Sequence, residues 1–96
     1  MEVVLKFEAK DLQKMKDLLL KDETVNRASM TFKEAGFIGK QGYYCYISGL
    51  DGQCKKAVEL SKGIAAVADD KEKGEVIGKI KEEESRATEG LGGIFG

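Results

Sequence analysis

Two tyrosines with cations around them form the most promising candidate ligand site in this sequence. Tyr44 and Tyr46 alternate along a segment rich in strand-forming residues, so they share one face of a sheet. Rings that stack on bases, next to cations that meet phosphates, are the chemistry of single-stranded RNA platforms. The sequence therefore offers an RNA-binding hypothesis, and its residues are Tyr44, Tyr46, Lys6, Arg27, Lys33 and Lys40.

The alternative is that this face is covered, either by the final helix or by a second protomer. The formal net charge of the chain is −1, with 16 Lys and Arg against 17 Asp and Glu. A balanced charge gives little general attraction to phosphate. Coverage of the tyrosine face is therefore the favoured interpretation, and RNA binding is the alternative.

Lys40 belongs to a glycine-rich connection, residues 36–42, with the sequence GFIGKQG. A G-x-x-G pattern followed by lysine is typical of the KH-domain loop that clamps a nucleic-acid backbone. That loop joins two helices, whereas this one joins two predicted strands. The spacing and the missing Ser or Thr also exclude a Walker A loop. The segment is interpreted as a hairpin connection.

Carboxylates cluster where the last helix is predicted to begin, at Asp69, Asp70 and Glu72. Carboxylate oxygens are the ligands that Ca²⁺ and Mg²⁺ prefer, which makes these three residues weak candidates for a divalent-cation site. The EF-hand template is absent. Capping and the helix dipole already favour acidic residues at this position, so capping is the preferred interpretation and no metal is predicted.

Histidine is absent from the chain, which excludes nucleophiles activated by histidine and the commonest nitrogen ligand of zinc. The two cysteines, Cys45 and Cys54, fit neither a C-x-x-C redox motif nor a zinc pattern. Both are interpreted as small buried residues. No other acid–base pair converges in the sequence, so no catalytic residue and no cofactor are predicted, and the chain is expected to be non-enzymatic.

Two apolar features near the C-terminus indicate self-association. The predicted last helix has a narrow apolar stripe, and the glycine-rich end carries large apolar side chains that would lower solubility if exposed. The residues expected to contact a second copy or another partner are Val76, Ile77, Ile80, Leu91, Ile94 and Phe95. A homodimer is the favoured assembly.

The hydrophobic pattern predicts the elements that position these residues. Strands are expected over 2–8, 25–34 and 43–48, and helices over 10–21 and 71–89. A further helix is expected from Gly52 to about Val67, with Asp51 as its cap. In the alternative, Gly63 ends that helix and residues 64–68 form a fourth strand. The core face of the sheet is predicted to carry Val3, Leu5, Phe7, Ala28, Met30, Phe32, Tyr43, Cys45 and Ile47.

Length and composition set the class. The chain has 96 residues, 42% of them hydrophobic and 34% charged, as expected for one globular domain. The predicted divisions are an α+β core over 1–68, a charged amphipathic helix over 69–89 and an apolar tail over 90–96. No membrane span and no secretory signal are expected, the two cysteines indicate the reducing cytoplasm, and the Lys and Glu bias indicates a thermophilic or archaeal source.

The fold class predicted is α+β, with a small antiparallel sheet in β-α-β-β-α order, ferredoxin-like or a related two-layer sandwich, plus a C-terminal helix. Over residues 2–67 this order resembles ferredoxin-like domains and a small subunit of an archaeal tRNA-modification complex. The likeness lies in element order alone, so it transfers no functional residue. The leading hypothesis is a small non-enzymatic domain that self-associates or binds a partner, with RNA binding as the alternative and divalent-cation binding as the weaker one.

Overall fold

The protein folds as α+β, with a four-stranded antiparallel sheet and three helices, as the sequence predicts. The computed structural model describes the backbone of residues 1–95 and the side chains of residues 1–36 and 38–84. The elements are β1 Glu2–Phe7, α1 Leu12–Leu20, β2 Ser29–Glu34, β3 Tyr43–Ser48, α2 Asp51–Leu60, β4 Ala66–Val67 and α3 Asp70–Phe95.

The strands lie in the order β2-β3-β1-β4, and each neighbouring pair is antiparallel. β3 is central, since it pairs with β1 on one side and with β2 on the other; Cys45, for example, lies between Leu5 and Phe32. This order is compatible with a ferredoxin-like sheet. It leaves β2 and β4 as the two edge strands.

The first face of the sheet carries the larger core, and α1 and α2 cover it. Met15 and Leu19 of α1 and Cys54 and Ala57 of α2 are fully buried against it. The predicted core face is confirmed, because all nine of its residues join this cluster: Val3, Leu5, Phe7, Ala28, Met30, Phe32, Tyr43, Cys45 and Ile47. The strand period of two and the helix period of 3.6 residues therefore bring the expected apolar faces together.

The second face is covered by α3, which is one of the two alternatives that the sequence left open. Val76 and Ile80 lie four residues apart, on one side of the helix, and pack against Val4 and Tyr44 of the sheet. Tyr44 is only 2% exposed. The molecule is thus a three-layer arrangement, with α1 and α2 on one face of the sheet and α3 on the other.

The prediction of a helix from Gly52 to about Val67 was wrong. The structure has the alternative arrangement, in which the helix ends before Gly63 and a short fourth strand follows. α2 ends at Leu60, and Gly63 follows it with a φ of +85°. This left-handed conformation is common after helices, and it is energetically unfavourable for any residue that has a Cβ atom. The chain then turns back, and Ala66 pairs with Lys6 of β1. This two-residue strand positions the start of α3 beside β1.

The three main differences from the predicted boundaries concern the start of β2, the start of α2 and the end of α3. The second strand begins at Ser29 rather than Val25, because the Asp22 carboxylate accepts hydrogen bonds from the Thr24 and Val25 N–H groups and holds a turn there. Asp51 is the first residue of α2 rather than its cap; the Gln53 side chain accepts from the Leu50 N–H at 2.8 Å.

The third difference is at the end of α3, where helical structure continues beyond Glu89 to Phe95. Glycine lowers helix propensity, which motivated the earlier end, but each further residue of an existing helix adds a hydrogen bond. Within the described part of the chain, no helix is long and apolar enough to cross a membrane.

Candidate functional site

Three side chains from different parts of the sheet converge on the carboxylate of Glu72. Lys6 of β1 donates to Oε1 at 3.0 Å, while Tyr44 of β3 donates to Oε2 at 2.8 Å. Lys40, from the connection between β2 and β3, places its Nζ 3.2 Å from Oε2. Glu72 lies in the first turn of α3, and its side chain is only 10% exposed. We call Lys6, Lys40, Tyr44 and Glu72 the Glu72 cluster.

The cluster keeps Glu72 ionised over a wide pH range. Hydrogen bonds from Lys6 and Tyr44, followed by the contact with Lys40, lower the pKa of Glu72 to about 2. Burial, and then the hydrogen bond to the Glu72 carboxylate, raise the pKa of Tyr44 to about 12. Tyr44 therefore remains a neutral donor and Glu72 a charged acceptor at neutral pH, as a charge-assisted hydrogen bond requires.

A glycine determines the path of the connection that carries Lys40. Gly42 has a φ of +96°, and a Cβ at this position would lie 2.6 Å from the Phe7 carbonyl oxygen. Only glycine allows this close approach of the connection to the end of β1. The glycine-rich segment is thus a structured turn between two strands, consistent with its interpretation as a hairpin connection.

Two more residues of the RNA-binding hypothesis are close to carboxylates. Lys33 of β2 lies 2.6 Å from Glu83 of α3, while the Tyr46 hydroxyl donates to Glu2 of β1. The hydrogen bond from Tyr46 lowers the pKa of Glu2. All three lysines of the hypothesis, Lys6, Lys33 and Lys40, therefore contact carboxylates of α3.

Arg27 lies apart from the other five residues of that hypothesis. It belongs to a short 3₁₀ turn before β2 and is exposed to solvent. With Glu23, Thr24 and Leu50 it lines an open hollow of about 430 Å³, and none of the other five residues lines that hollow. The structure thus groups Lys6, Lys40 and Tyr44 around Glu72 and places Lys33 of β2 beside Glu83, a later residue of α3. Arg27 lies apart from both groups.

Two of the three acidic residues at the start of α3, Asp69 and Glu72, accept hydrogen bonds within the protein. The Asp69 carboxylate accepts a hydrogen bond from the Glu72 N–H at 2.8 Å, which is the capping role that the sequence indicated. Glu72 accepts from lysines and a tyrosine. Among the described residues, no group of three or more potential metal ligands is assembled.

Both cysteines are buried on the first face of the sheet, where the sequence placed them. Burial raises the pKa of the Cys45 thiol to about 12 and also raises the pKa of Cys54. A nucleophilic cysteine needs a lowered pKa, so these two thiols are in the opposite electrostatic state.

Three of the six predicted contact residues, Val76, Ile77 and Ile80, pack within the chain. Val76 is fully buried and Ile80 is 2% exposed, while Ile77 is half-buried against the same cluster. The side chains of Leu91, Ile94 and Phe95 lie outside the described residues. Self-association through these six positions stays a prediction.

The outer edge of β2 is a feature that the sequence analysis missed. Ala35 donates to the Gly42 carbonyl, in register with the pairing of β2 and β3. Because hydrogen-bonded pairs alternate in an antiparallel ladder, residues 29, 31 and 33 also face β3. The N–H and C=O groups of Met30, Phe32 and Glu34 consequently point outward. No strand in the described part of the chain pairs with this edge.

Two large apolar side chains accompany this free edge. Met30 and Phe32 lie on the core face but are only half-buried, because α1 and α2 do not fully cover the edge strand β2. The ammonium of Lys16 lies 5.7 Å from the centre of the Phe32 ring and partly covers it. The alternating pattern of the sequence identified Met30 and Phe32 as apolar strand residues, but only the strand order shows that they lie at an edge of the sheet.

Comparison of the chain with protein-family models, with curated proteins and with solved structures finds no match.

Proposed function

We propose that this chain is a non-enzymatic domain that forms a homodimer through the outer edge of β2. The observation that carries the proposal is the direction of the backbone hydrogen-bonding groups along β2, which alternate between facing β3 and facing outward. Outward-facing backbone groups at Met30, Phe32 and Glu34 lie on a strand whose apolar side chains are only half-buried. An unpaired, partly apolar edge strand is a template for pairing with another strand.

A second copy fits this edge in one preferred register. Antiparallel pairing about a twofold axis can place Phe32 opposite Phe32 of the partner subunit, with Met30 opposite the partner's Glu34. All three outward-facing residues then exchange hydrogen bonds, about six in total, and the two sheets continue as one. Both Phe32 rings lie on the same face of the joined sheet, where they would bury each other's exposed edges.

The expected affinity is modest. Six backbone hydrogen bonds contribute about 3–9 kcal/mol net. Apolar burial around Phe32 and Met30 adds to this, while association costs about 4–15 kcal/mol. Because these two ranges overlap, a weak dimer is expected, and the proposal commits to a dissociation constant on the order of 10 µM to 1 mM, which is about 4–7 kcal/mol. The dimer is therefore expected to depend on protein concentration.

Proline at position 34 tests the edge directly. Glu34 has a φ of −67°, the value that a proline ring imposes, and its N–H points away from β3. Glu34→Pro would therefore remove one outward donor from each subunit while leaving the fold intact. Two lost hydrogen bonds should weaken the dimer by roughly 5-fold to 150-fold. Glu34→Ala is the matched control, because it removes the same side chain and keeps the N–H group.

Sedimentation equilibrium of the full chain measures this dimer. The proposal expects a reversible monomer–dimer equilibrium for the wild type and for Glu34→Ala, and a shift to monomer for Glu34→Pro. A wild type that remains monomeric up to about 1 mM would contradict it, since the expected dissociation constant lies below that concentration. Deleting residues 90–96 separates the edge from the predicted tail contacts: a dimer that persists depends on the edge.

RNA binding is the second candidate function. The observation in its favour is that Lys6, Lys33 and Lys40 all lie on the α3 side of the sheet. The ring of Tyr44 is buried beneath α3, so base stacking there requires the helix to move. Titration with oligonucleotides should then shift tyrosine fluorescence, more strongly at low salt. No shift at low salt would exclude this function.

Divalent-cation binding through Asp69, Asp70 and Glu72 stays the weaker prediction. Asp69 and Glu72 already accept hydrogen bonds, so a cation would have to displace the N–H of Glu72 and the ammonium of Lys6. A melting temperature that rises with added Ca²⁺ or Mg²⁺ would support this function. A thermophilic source and a cytoplasmic location likewise stay predictions from the residue composition.

A further inference from the structure

The Glu72 cluster has the donor geometry of an anion-binding site. Three donors point at a single carboxylate. They are the ammonium of Lys6 on β1, the ammonium of Lys40 on the connection between β2 and β3, and the hydroxyl of Tyr44 on β3. The three donors belong to the sheet layer, whereas the acceptor arrives on a separate element, α3. The carboxylate therefore occupies this position as a ligand would, and it belongs to the same chain.

The donor set suits a phosphate group better than a carboxylate. A carboxylate offers two oxygens and one negative charge, and both oxygens of Glu72 are already shared among three donors. A phosphate group offers more oxygens and, as a monoester, nearly two charges, which would match the two ammonium groups of Lys6 and Lys40.

We propose that Lys6, Lys40 and Tyr44 form a binding site for a phosphate group, and that Glu72 occupies this site as an intramolecular competitor. This inference goes beyond the proposed dimerisation, because it concerns the face of the sheet that α3 covers rather than the outer edge of β2.

Only the first turn of α3 has to open for a phosphate to enter. Glu72 is the third residue of the helix, and the Asp69 carbonyl and carboxylate hold this turn through Lys73 and Glu72, each at 2.8 Å. Val76 and Ile80 lie further along the helix and can keep it docked on the sheet. Asp69, which also acts electrostatically on Tyr44, belongs to this turn and would move with Glu72, whereas Glu75 lies next to Val76 and would stay in place.

A second lysine–carboxylate pair extends the same arrangement along α3. Lys33 contacts Glu83, which follows Glu72 by 11 residues and thus lies about 16 Å away along the helix axis. A single-stranded oligonucleotide, whose diester phosphates carry one charge each, could displace both carboxylates by placing one phosphate at each lysine site. A free phosphate or pyrophosphate would displace only Glu72. The shared chemistry is the phosphate group, and the experiment separates the two sources.

The test compares the full-length wild type with three variants by titration at low salt. Glu72→Gln removes the competing charge, and Glu75→Gln removes an equal charge from an exposed position one turn away as the matched control. Glu72→Gln combined with Lys40→Gln also removes one donor of the proposed site, the Lys40 ammonium, whose side chain is half exposed. The probes are inorganic phosphate, pyrophosphate and a labelled oligouridylate, followed by amide NMR shifts and by fluorescence anisotropy.

The proposal expects Glu72→Gln to bind at least one probe roughly 10-fold more tightly than the wild type and Glu75→Gln do, with a loss of that gain in the double variant. Tighter binding of the oligouridylate alone identifies a polymer as the source of the phosphate, and tighter binding of the small anions identifies a free phosphate.

Equal affinity of the Glu72→Gln and Glu75→Gln variants would overturn the proposal, as would an unchanged gain in the double variant. A phosphate titration of the wild type, followed by NMR, provides a test that does not depend on whether the variants fold. High phosphate should shift the amide signals of Lys40 and Glu72 in the wild type, and the absence of any shift there, together with no binding by folded Glu72→Gln, also overturns it.

Discussion

At the residue scale, Glu72 connects the last helix to the sheet. Its contacts reach 66 positions back along the chain to Lys6 and 28 positions back to Tyr44. The strand period predicted that Lys6 and Tyr44 share a face, and they do. Their partner could not be predicted, because the choice among Glu72, Glu75 and Asp69 depends on how α3 is rotated and where β4 starts it.

The pH dependence of stability should reveal the Glu72 cluster. The pKa of Glu72 is lowered to about 2, whereas an unfolded glutamate titrates near about 4.3, so its contribution is fully present above that value and is lost as pH falls toward 2. Glu72→Gln should therefore melt at a lower temperature than the wild type at pH 7. The difference should disappear between about pH 4.5 and pH 2.

Circular dichroism melts from neutral to acidic pH check this prediction, with Glu75→Gln as the control of equal charge. A difference between wild type and Glu72→Gln that stays constant down to about pH 2 would mean that Glu72 is not held in this way.

The thiols should be unreactive in the folded protein. Cys45 and Cys54 are buried, and burial raises the pKa of both, so little thiolate is present to attack an alkylating reagent. Iodoacetamide at pH 8 should modify neither residue in the native state and both in denaturant, as mass spectrometry can show. Rapid native modification of Cys45 would contradict the described packing.

At the element scale, α3 is held by both charge and apolar contact. The period of its apolar positions predicted the side that packs, and the i,i+4 pair Val76 and Ile80 is buried as that period requires. What the sequence left open was whether the stripe packs on its own sheet or on a second copy. The answer needs the position of β4, a two-residue strand too short to give a periodic signal.

Truncation of the α3 stripe should separate buried from half-buried positions. Ile80→Ala should lower the free energy of unfolding by about 2–5 kcal/mol, because it leaves a cavity beneath α3. Ile77→Ala, at a half-buried position of the same helix, should cost clearly less. Urea unfolding measures both. Equal costs for the two variants would indicate that α3 does not pack through the described side.

Two glycines test the chain path into and along α3. Gly63 has a φ of +85°, so Gly63→Ala should destabilise by about 1–2 kcal/mol although nothing lies within 4 Å of the new Cβ. Gly74, inside α3, has the same free space and no left-handed φ, so Gly74→Ala should instead stabilise by about 0.5–1 kcal/mol. The opposite signs are the expected outcome in urea unfolding. A stabilising Gly63→Ala would contradict the turn between α2 and β4.

At the scale of the whole molecule, the sequence predicted the layers better than the edges. Alternation in β1, β2 and β3 identified the core face, including Cys45 and Ile47, because a slip by one residue would have moved them to the other face of the sheet. The strand order was not readable from that alternation. Whether Met30 and Phe32 lie at an edge or in the middle depends on long-range pairing, and that pairing determines where the proposed dimer forms.

Hydrogen exchange at the edge amides can detect dimerisation through β2 at single residues. The N–H groups of Met30, Phe32 and Glu34 face outward in one copy, whereas those of Thr31 and Lys33 face β3. Raising the protein concentration from about 10 µM to about 1 mM should slow exchange at the three outward amides and leave the two inward amides unchanged. Exchange at the outward amides that is equally fast at both concentrations would rule out a dimer formed through this edge.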